Sequence, residues 1–361
     1  MIRVIQGLEE LKKLRAVCDE LAYIHATPFL RHEWIEACVM NLCPPGTLRI
    51  LVAESGGEVT ALAPLVRIGS PVTPHLEILG ASAFGSGSGI LFYRNEPALL
   101  DILDAFASFR LPVYLSGVRT ASIDAVGLES SLRKQGLHFY VKRELTPWIE
   151  FAEDQDLLRI PVHRRKYPED EPPLRPVAEN IGLTSEVHTP ERQELESVLK
   201  MMQVPARRSD GEACSGKIAY DGNLIRFLID LAELSTGTGM LKVCYLHDDG
   251  RIGGVMSGIE YSNRFWLLGI SWAKRPSQPD ADIILTRKFI RYAFNSRFDS
   301  LEQIDFNRPW LEPWTDRFHD YSSYRIYDRA AETVLAVCGE LLTSITGKFL
   351  LGFGSKSRVN R

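Results

Sequence analysis

The segment Asp305-Phe306-Asn307-Arg308, followed by Trp310, Glu312 and Trp314, puts two carboxylates and a guanidinium among aromatic side chains. It leaves the end of a strand-like run, and polar residues in that position of an open α/β structure tend to face the cleft. There Asp305 or Glu312 can accept a proton from an amine, and Arg308 can hold an anionic group of a substrate. The same residues also suit a plainer role, an Asp305–Arg308 pair fixing the loop with Trp310 and Trp314 as packing. Two basic groups offer different chemistry: Arg159, His163, Arg164, Arg165 and Lys166, then Arg207, Arg208 and Lys217. Each can follow a phosphate-rich partner such as tRNA, or simply be solvated. The Gly-Ser run Gly85–Gly89 lacks both a GxGxxG spacing and a Walker lysine, so it reads as a flexible turn or lid. The cysteines at 18, 38, 43, 214, 244 and 338 form no CxxC and have no histidine at ligand spacing. No metal site is expected, and the cysteines read as reduced, buried small hydrophobes.

The elements that position these groups fall into two similar halves. A length of 361 residues suits two domains of about 150–180 residues each. Hydrophobic residues make up 45% and charged residues 24%, which excludes disordered and coiled-coil chains. With 42 basic against 46 acidic residues, overall charge does not drive binding to nucleic acid or anionic membranes. No apolar run approaches the ~18 residues of a membrane span, and the start lacks a secretory signal. The expectation is a soluble, cytoplasmic protein of unspecified oligomeric state.

In the first half, Leu48–Glu54 and Glu58–Ile68 read as a hairpin across Ser55-Gly56-Gly57. Strands at Leu76–Leu79, Ile90–Tyr93 and Pro112–Ser116, and a helix over Pro97–Phe109, follow. The second half opens with a strand at Leu183–Val187 and a helix from Thr189 or Pro190 to Met202. A helix over Asn223–Leu234 comes next, then a hairpin, Met240–His247 with Arg251–Tyr261, and strand Phe265–Trp272. It continues with helix Asp282–Asn295, strands Glu302–Phe306 and Tyr324–Tyr327, and helix Ala330–Thr343. Laid hairpin on hairpin, Leu48–Val52 meets Leu241–Tyr245 and the later elements keep the same order. The reading is α/β (α+β) with a duplicated module: a domain over 1–154, a Pro-rich acidic linker over 155–182, a domain over 183–345 and a basic tail over 346–361.

At this point the chain resembles a family. The "LRILVAESGGEVTALAPLVRIG" and "GRIGGVMSGIEYSNRFWLLGISW" stretches are similar to the two halves of the CelD-like, BioF-two-like acetyltransferase group of the GNAT superfamily. "PSQPDADIILTRKFIRYAF" falls where that family has a Ser-Pro-Gly turn into a helix, and "IDFNRPWLEPW" where it has Asp-Phe-Gly-Arg-Gly before a Tyr-Lys pair. The resemblance implies two tandem GNAT-like folds, each a mixed, mostly antiparallel sheet flanked by helices, with acyl transfer in the second. It implies an acyl-CoA donor held by Ser271, Trp272, Arg275, Ser277, Gln278 and Ala281, and an amine acceptor near Arg207, Arg208, Trp310 and Trp314. No permanently bound cofactor is implied. This chain departs from the family's donor turn: Gln278 and Asp280 occupy glycine positions, and Pro276 and Pro279 have no N–H to offer a pyrophosphate. Asp280 also suits a plain helix cap, and Thr315 stands at the family's lysine position. Two alternatives stay open: a Fem-type enzyme that takes an aminoacyl group from charged tRNA, and a degenerate, non-catalytic scaffold.

Overall fold

The computed structural model describes residues 1–69, 73–84, 92–93, 95–119, 127–151, 184–202, 222–248, 251–272, 281–304 and 310–328. Its strands are β1 (Ile2–Ile5), β2 (Leu48–Ser55), β3 (Glu58–Ile68), β4 (His75–Ile78), β5 (Phe92–Tyr93), β6 (Val113–Arg119), β7 (His138–Pro147), β8 (Ile149–Glu150), β9 (Leu241–Asp248), β10 (Arg251–Tyr261), β11 (Arg264–Trp272), β12 (Ser300–Gln303) and β13 (Phe318–Tyr327). The helices are α1 (Leu8–Lys12), α2 (Arg15–Ile24), α3 (His32–Asn41), α4 (Ala81–Phe84), α5 (Glu96–Phe109), α6 (Leu128–Lys134), α7 (Arg192–Met202), α8 (Gly222–Leu234) and α9 (Ala281–Asn295).

Both hairpins form where the apolar runs and their turn residues place them. At the first, Gly56 and Gly57 turn at φ 62° and 86°, a conformation in which a side chain is strained. Helix α5 starts at Asn95, whose Oδ1 accepts the Ala98 N–H at 3.0 Å, capping one of the free first-turn donors. In α8 the face carrying Leu224, Phe227, Leu228 and Leu231 is buried, as its 3.6-residue periodicity requires.

Two mixed sheets result, flanked by helices. The first runs β1-β2-β3-β4-β6-β13-β7, with β5 beside β3; the second runs β8-β12-β11-β10-β9. The expected α/β architecture of two mixed sheets flanked by helices is thus present, but the sheets do not divide where the chain does. Strand β13 comes from the second half and lies in the first sheet, antiparallel to both β6 and β7. In return β8, one residue beyond β7, pairs with β12 at Glu150↔Ser300 and Ile149↔Leu301. The sequence places each half's strands in its own domain, because strand exchange has no local signature.

The cores interlock as well. One apolar cluster takes residues from both halves, with Trp34 edge-on to Phe227 at 5.0 Å and Phe29 edge-on to Trp266 at 5.3 Å. A second lies between the first sheet and α5–α6. A third lies between the second sheet and α9.

Several expected elements differ. Of the strand expected at Leu183–Val187, the described residues form none; within 184–188 only isolated bridges form, Thr184 to Leu246 and His188 to Val243. The strand expected at Glu302–Phe306 is Ser300–Gln303, and that at Tyr324–Tyr327 begins six residues earlier at Phe318. The 155–182 linker, the Gly85–Gly89 run, the Ala330–Thr343 helix and the basic tail lie outside the described residues. Among the described residues, no helix is long and apolar enough to cross a membrane, and no cluster could hold a metal ion.

Candidate functional site

The second sheet contains the arrangement most able to hold a reacting molecule. Strands β11 and β12 run parallel, paired from Arg264↔Ser300 to Leu267↔Gln303. A last bond, Ile304 N–H to Leu267 C=O at 3.3 Å, closes the ladder. At that point β11 carries a bulge. Ser257 of β10 pairs with Gly269 and Gly258 with Leu267, so Leu268 is an extra residue. A bulge bends its strand and increases the local twist, here at the end of the parallel ladder. Strand β11 runs on to Trp272, and α9 begins at Ala281. The apex of this fork is therefore Leu267–Ile304.

Tight packing holds the fork in shape. Gly258 lies under the buried Phe265, and a Cβ there would come within 2.2 Å of the Phe265 ring. The ring is in turn surrounded by Phe289, Tyr292 and Phe298, with centroids 5.2, 5.9 and 5.9 Å away. The described residues on either side of 305–309 are bonded at the apex. Ile304 bonds Leu267, and Leu311 N–H donates to Gln303 Oε1 at 3.1 Å.

The face of the second sheet opposite α9 is unusually polar near the apex. Val255 and Ile259 of β10, and Trp266 and Leu268 of β11, belong to the cluster shared by both halves. Ser257 lies between Val255 and Ile259 on that face, and Glu302 pairs in register with Trp266. Ser257 Oγ and Trp266 Nε1 are both buried and have no hydrogen-bond partner among the described residues.

Beside them sits a charged group that joins the sheets. Glu302, 2% exposed, lies 3.2 Å from His319 Nε2 on β13. Its other oxygen accepts from Ser300 Oγ at 3.0 Å. Arg119 of β6 places Nη2 2.9 Å from His319 Nδ1 and 3.0 Å from Nε2. Arginine only donates and a carboxylate only accepts, so the consistent tautomer carries its proton on Nε2 and offers Nδ1 to Arg119. Trp148 stacks on the imidazole at 4.1 Å. Burial alone would raise the Glu302 carboxyl. The hydrogen bond from His319, the charge of Arg119 and the Ser300 hydroxyl outweigh it and hold Glu302 below the ordinary carboxylate range. The Tyr321 hydroxyl is pushed up by burial and then by the Glu302 charge.

Of the residues singled out by sequence, Glu312 sits exposed on a 3-10 turn, Glu312–Trp314. Trp314 is buried in the third core cluster, and Trp310 packs against that cluster. The backbones of Ser271 and Trp272 end β11, and that of Ala281 begins α9. Asp305, Arg308, Arg275, Ser277, Gln278, Arg207 and Arg208, with the basic residues at 159–166 and Lys217, lie outside the described residues. Sequence reasoning missed Arg119, Ser257, Trp266, Glu302 and His319. A signal existed in Glu302, a lone acid in a run that otherwise reads as a buried strand.

No protein-family model matches the chain, and no curated protein does. Solved structures do. The C-terminal DUF2156 domain of a putative lysylphosphatidylglycerol synthetase from Agrobacterium fabrum is similar over 92% of this chain and 97% of that chain, with a TM-score of 0.52 at 9% identity. FemX is similar over 92% of this chain and 99% of that chain, with a TM-score of 0.51 at 10% identity. A tandem GNAT protein from the clavulanic acid biosynthesis pathway aligns over 91% of this chain and 97% of that chain, at 0.47 and 13% identity. At such identities the likeness is one of fold.

Proposed function

We propose that the protein is an acyltransferase that moves an activated acyl group onto the amine of a small molecule or saccharide precursor. The observation that carries this reading is the fork. A parallel pair ends at a bulge, and a helix follows the longer strand, so an extended donor can lie between the strands while its charged end meets the helix start. Acyl-CoA is the first donor to consider, bordered by Ser271, Trp272, Arg275, Ser277, Gln278 and Ala281. Asp305 would take the amine proton, with Glu312 as the other candidate, and Arg308 would orient the acceptor. Arg207, Arg208, Trp310 and Trp314 would border the acceptor, with Trp314 acting through packing. The CelD-like grouping rests on the sequence stretches quoted above.

Titration calorimetry with acetyl-CoA and longer acyl-CoAs, paired with thiol release in the presence of primary amines, tests this. Binding and amine-dependent thiol release are expected. Absence of binding to every acyl-CoA removes the thioester donor.

A second reading keeps the fold and replaces the donor with charged tRNA. It is favoured by Gln278 and Asp280 standing where a pyrophosphate cradle needs glycines, since an aminoacyl ester has no such pyrophosphate. Filter binding at two salt concentrations tests it, because a contact with several phosphates weakens steeply with salt. Flat or undetectable binding ends that reading. If neither donor binds, the non-catalytic scaffold is what remains.

A further inference from the structure

We infer that Ser257 and Trp266 recognise the acyl acceptor, and that the acceptor is a primary amine bearing hydroxyl or carbonyl oxygens close to its nitrogen. This rests on the acyl-transfer reading and adds the acceptor side of the fork. Both residues lie on the face opposite α9, at the level where the β11–β12 ladder ends. Trp266 is 7% exposed and Ser257 1%. A polar atom sealed from water is expected to find a partner, because leaving it unmade costs about 1–3 kcal/mol. Ser257 Oγ and Trp266 Nε1 have none among the described residues. Thr146 Oγ1, on the residue paired with His319, is in the same position further along the junction.

The donor inventory defines the ligand. Indole N–H only donates, a serine hydroxyl donates or accepts, and the neighbouring Glu302 carboxylate only accepts. Ser257 and Trp266 thus offer two donors to oxygen atoms of a ligand. Phe29, edge-on to Trp266 at 5.3 Å, makes the surroundings apolar, which strengthens each bond made there. A hydrocarbon amine would leave both donors unmade. An oxygen-bearing amine such as an amino sugar would satisfy them.

The test has two arms on the full-length protein. In the first, Ser257→Ala is melted without ligand. A hydroxyl with no partner contributes nothing to stability, so the variant should melt at or above the wild-type temperature. A fall of several degrees would show that the hydroxyl has an internal partner and would overturn the inference. In the second arm, glucosamine, ethanolamine and glycinamide are titrated against cyclohexylamine as the oxygen-free control. Wild type should prefer the oxygen-bearing amines. Ser257→Ala should raise their dissociation constants by about three- to tenfold. So should replacement of Trp266 by benzothienylalanine, which keeps the ring shape and removes the N–H. Affinities unchanged in both variants, or no preference over cyclohexylamine, overturn it. The donor is titrated separately with acetyl-CoA, so failure of acyl transfer itself registers in the donor titration alone.

Discussion

Cutting the chain inside 155–182 separates two segments that the sheets do not separate. The 1–154 fragment loses β13, which lies between β6 and β7 and is paired along its whole length with β7, from Phe318↔Pro147 to Tyr327↔His138. It also loses Tyr321, Tyr324, Ile326 and Tyr327, each at least 94% buried. At about 1.5–3 kcal/mol for burying one large side chain, four of them come to about 6–12 kcal/mol. Total stabilities are only about 5–15 kcal/mol, so the loss is as large as the stability itself. Strands β6 and β7 are also left with open edges, which favours aggregation. The 1–154 fragment alone should therefore be unfolded or aggregated by circular dichroism and size exclusion. Co-expression with a 183–361 fragment should restore a soluble complex. The second fragment lacks only the two-residue β8 from its sheet and should suffer less. A 1–154 fragment that unfolds cooperatively by itself, with dispersed amide resonances, would refute the argument from strand exchange.

Other perturbations have equally definite outcomes. Gly258→Ala drives a Cβ into Phe265, so it should cost about 1–3 kcal/mol by overpacking, read as a lower Tm. Phe227→Ala opens a hole against Trp34 and Phe84 and should cost about 3–5 kcal/mol; because that core is shared, calorimetry should show one shifted transition rather than two. Glu302→Gln removes a carboxylate whose folded pKa is depressed and weakens its contacts with His319 and Ser300, and should cost about 1–3 kcal/mol at neutral pH. In the wild type this stabilisation is present above the unfolded glutamate value of about 4.3 and is lost as pH falls through the lower folded value. The stability gap between wild type and Glu302→Gln should thus narrow in urea melts below about pH 4; a gap constant with pH would contradict it. Asp305→Asn should slow acyl transfer by about 10²–10⁴ with little change in Tm.

The hairpins were legible because their apolar runs are bounded by turn residues, and α8 because its apolar residues recur at helical spacing. Strand β13 was half legible. Its buried residues include His319 and Ser322, which are polar, so only the Tyr324–Tyr327 end reads as a strand. Strand β12 is buried throughout although Ser300, Glu302 and Gln303 are polar. Glu302 and Gln303 are met by His319 and Leu311, which come from further along the chain, and no local pattern announces them. The same holds for the site. Glycine-poor turns and charged loops can be found by reading, whereas an unpartnered indole N–H becomes visible only once its neighbours are placed.

The two halves differ at the position of the fork. Strand β10 pairs with β11 at Gly258↔Leu267 and again at Val255↔Ser271, with Leu268–Ile270 between them on β11. In the first half, Leu65↔Ile78 and Leu62↔Phe92 are the matching pairs, and Leu79–Leu91 lies between them. A bulge of one residue in the second module thus corresponds to a whole excursion in the first. The start of that excursion is locked. Glu77, beside the β4–β6 parallel pair, accepts both the Ser82 N–H at 3.2 Å and its hydroxyl at 2.7 Å. Phe84 then packs on Trp34 at 5.0 Å and on Phe227 at 5.1 Å. The first module uses its bulge position to anchor the shared core. The second keeps its strand continuous past the apex, with polar groups of Ser257, Trp266 and Glu302 on the adjoining face. Packing commits the fork of the first half to the shared core.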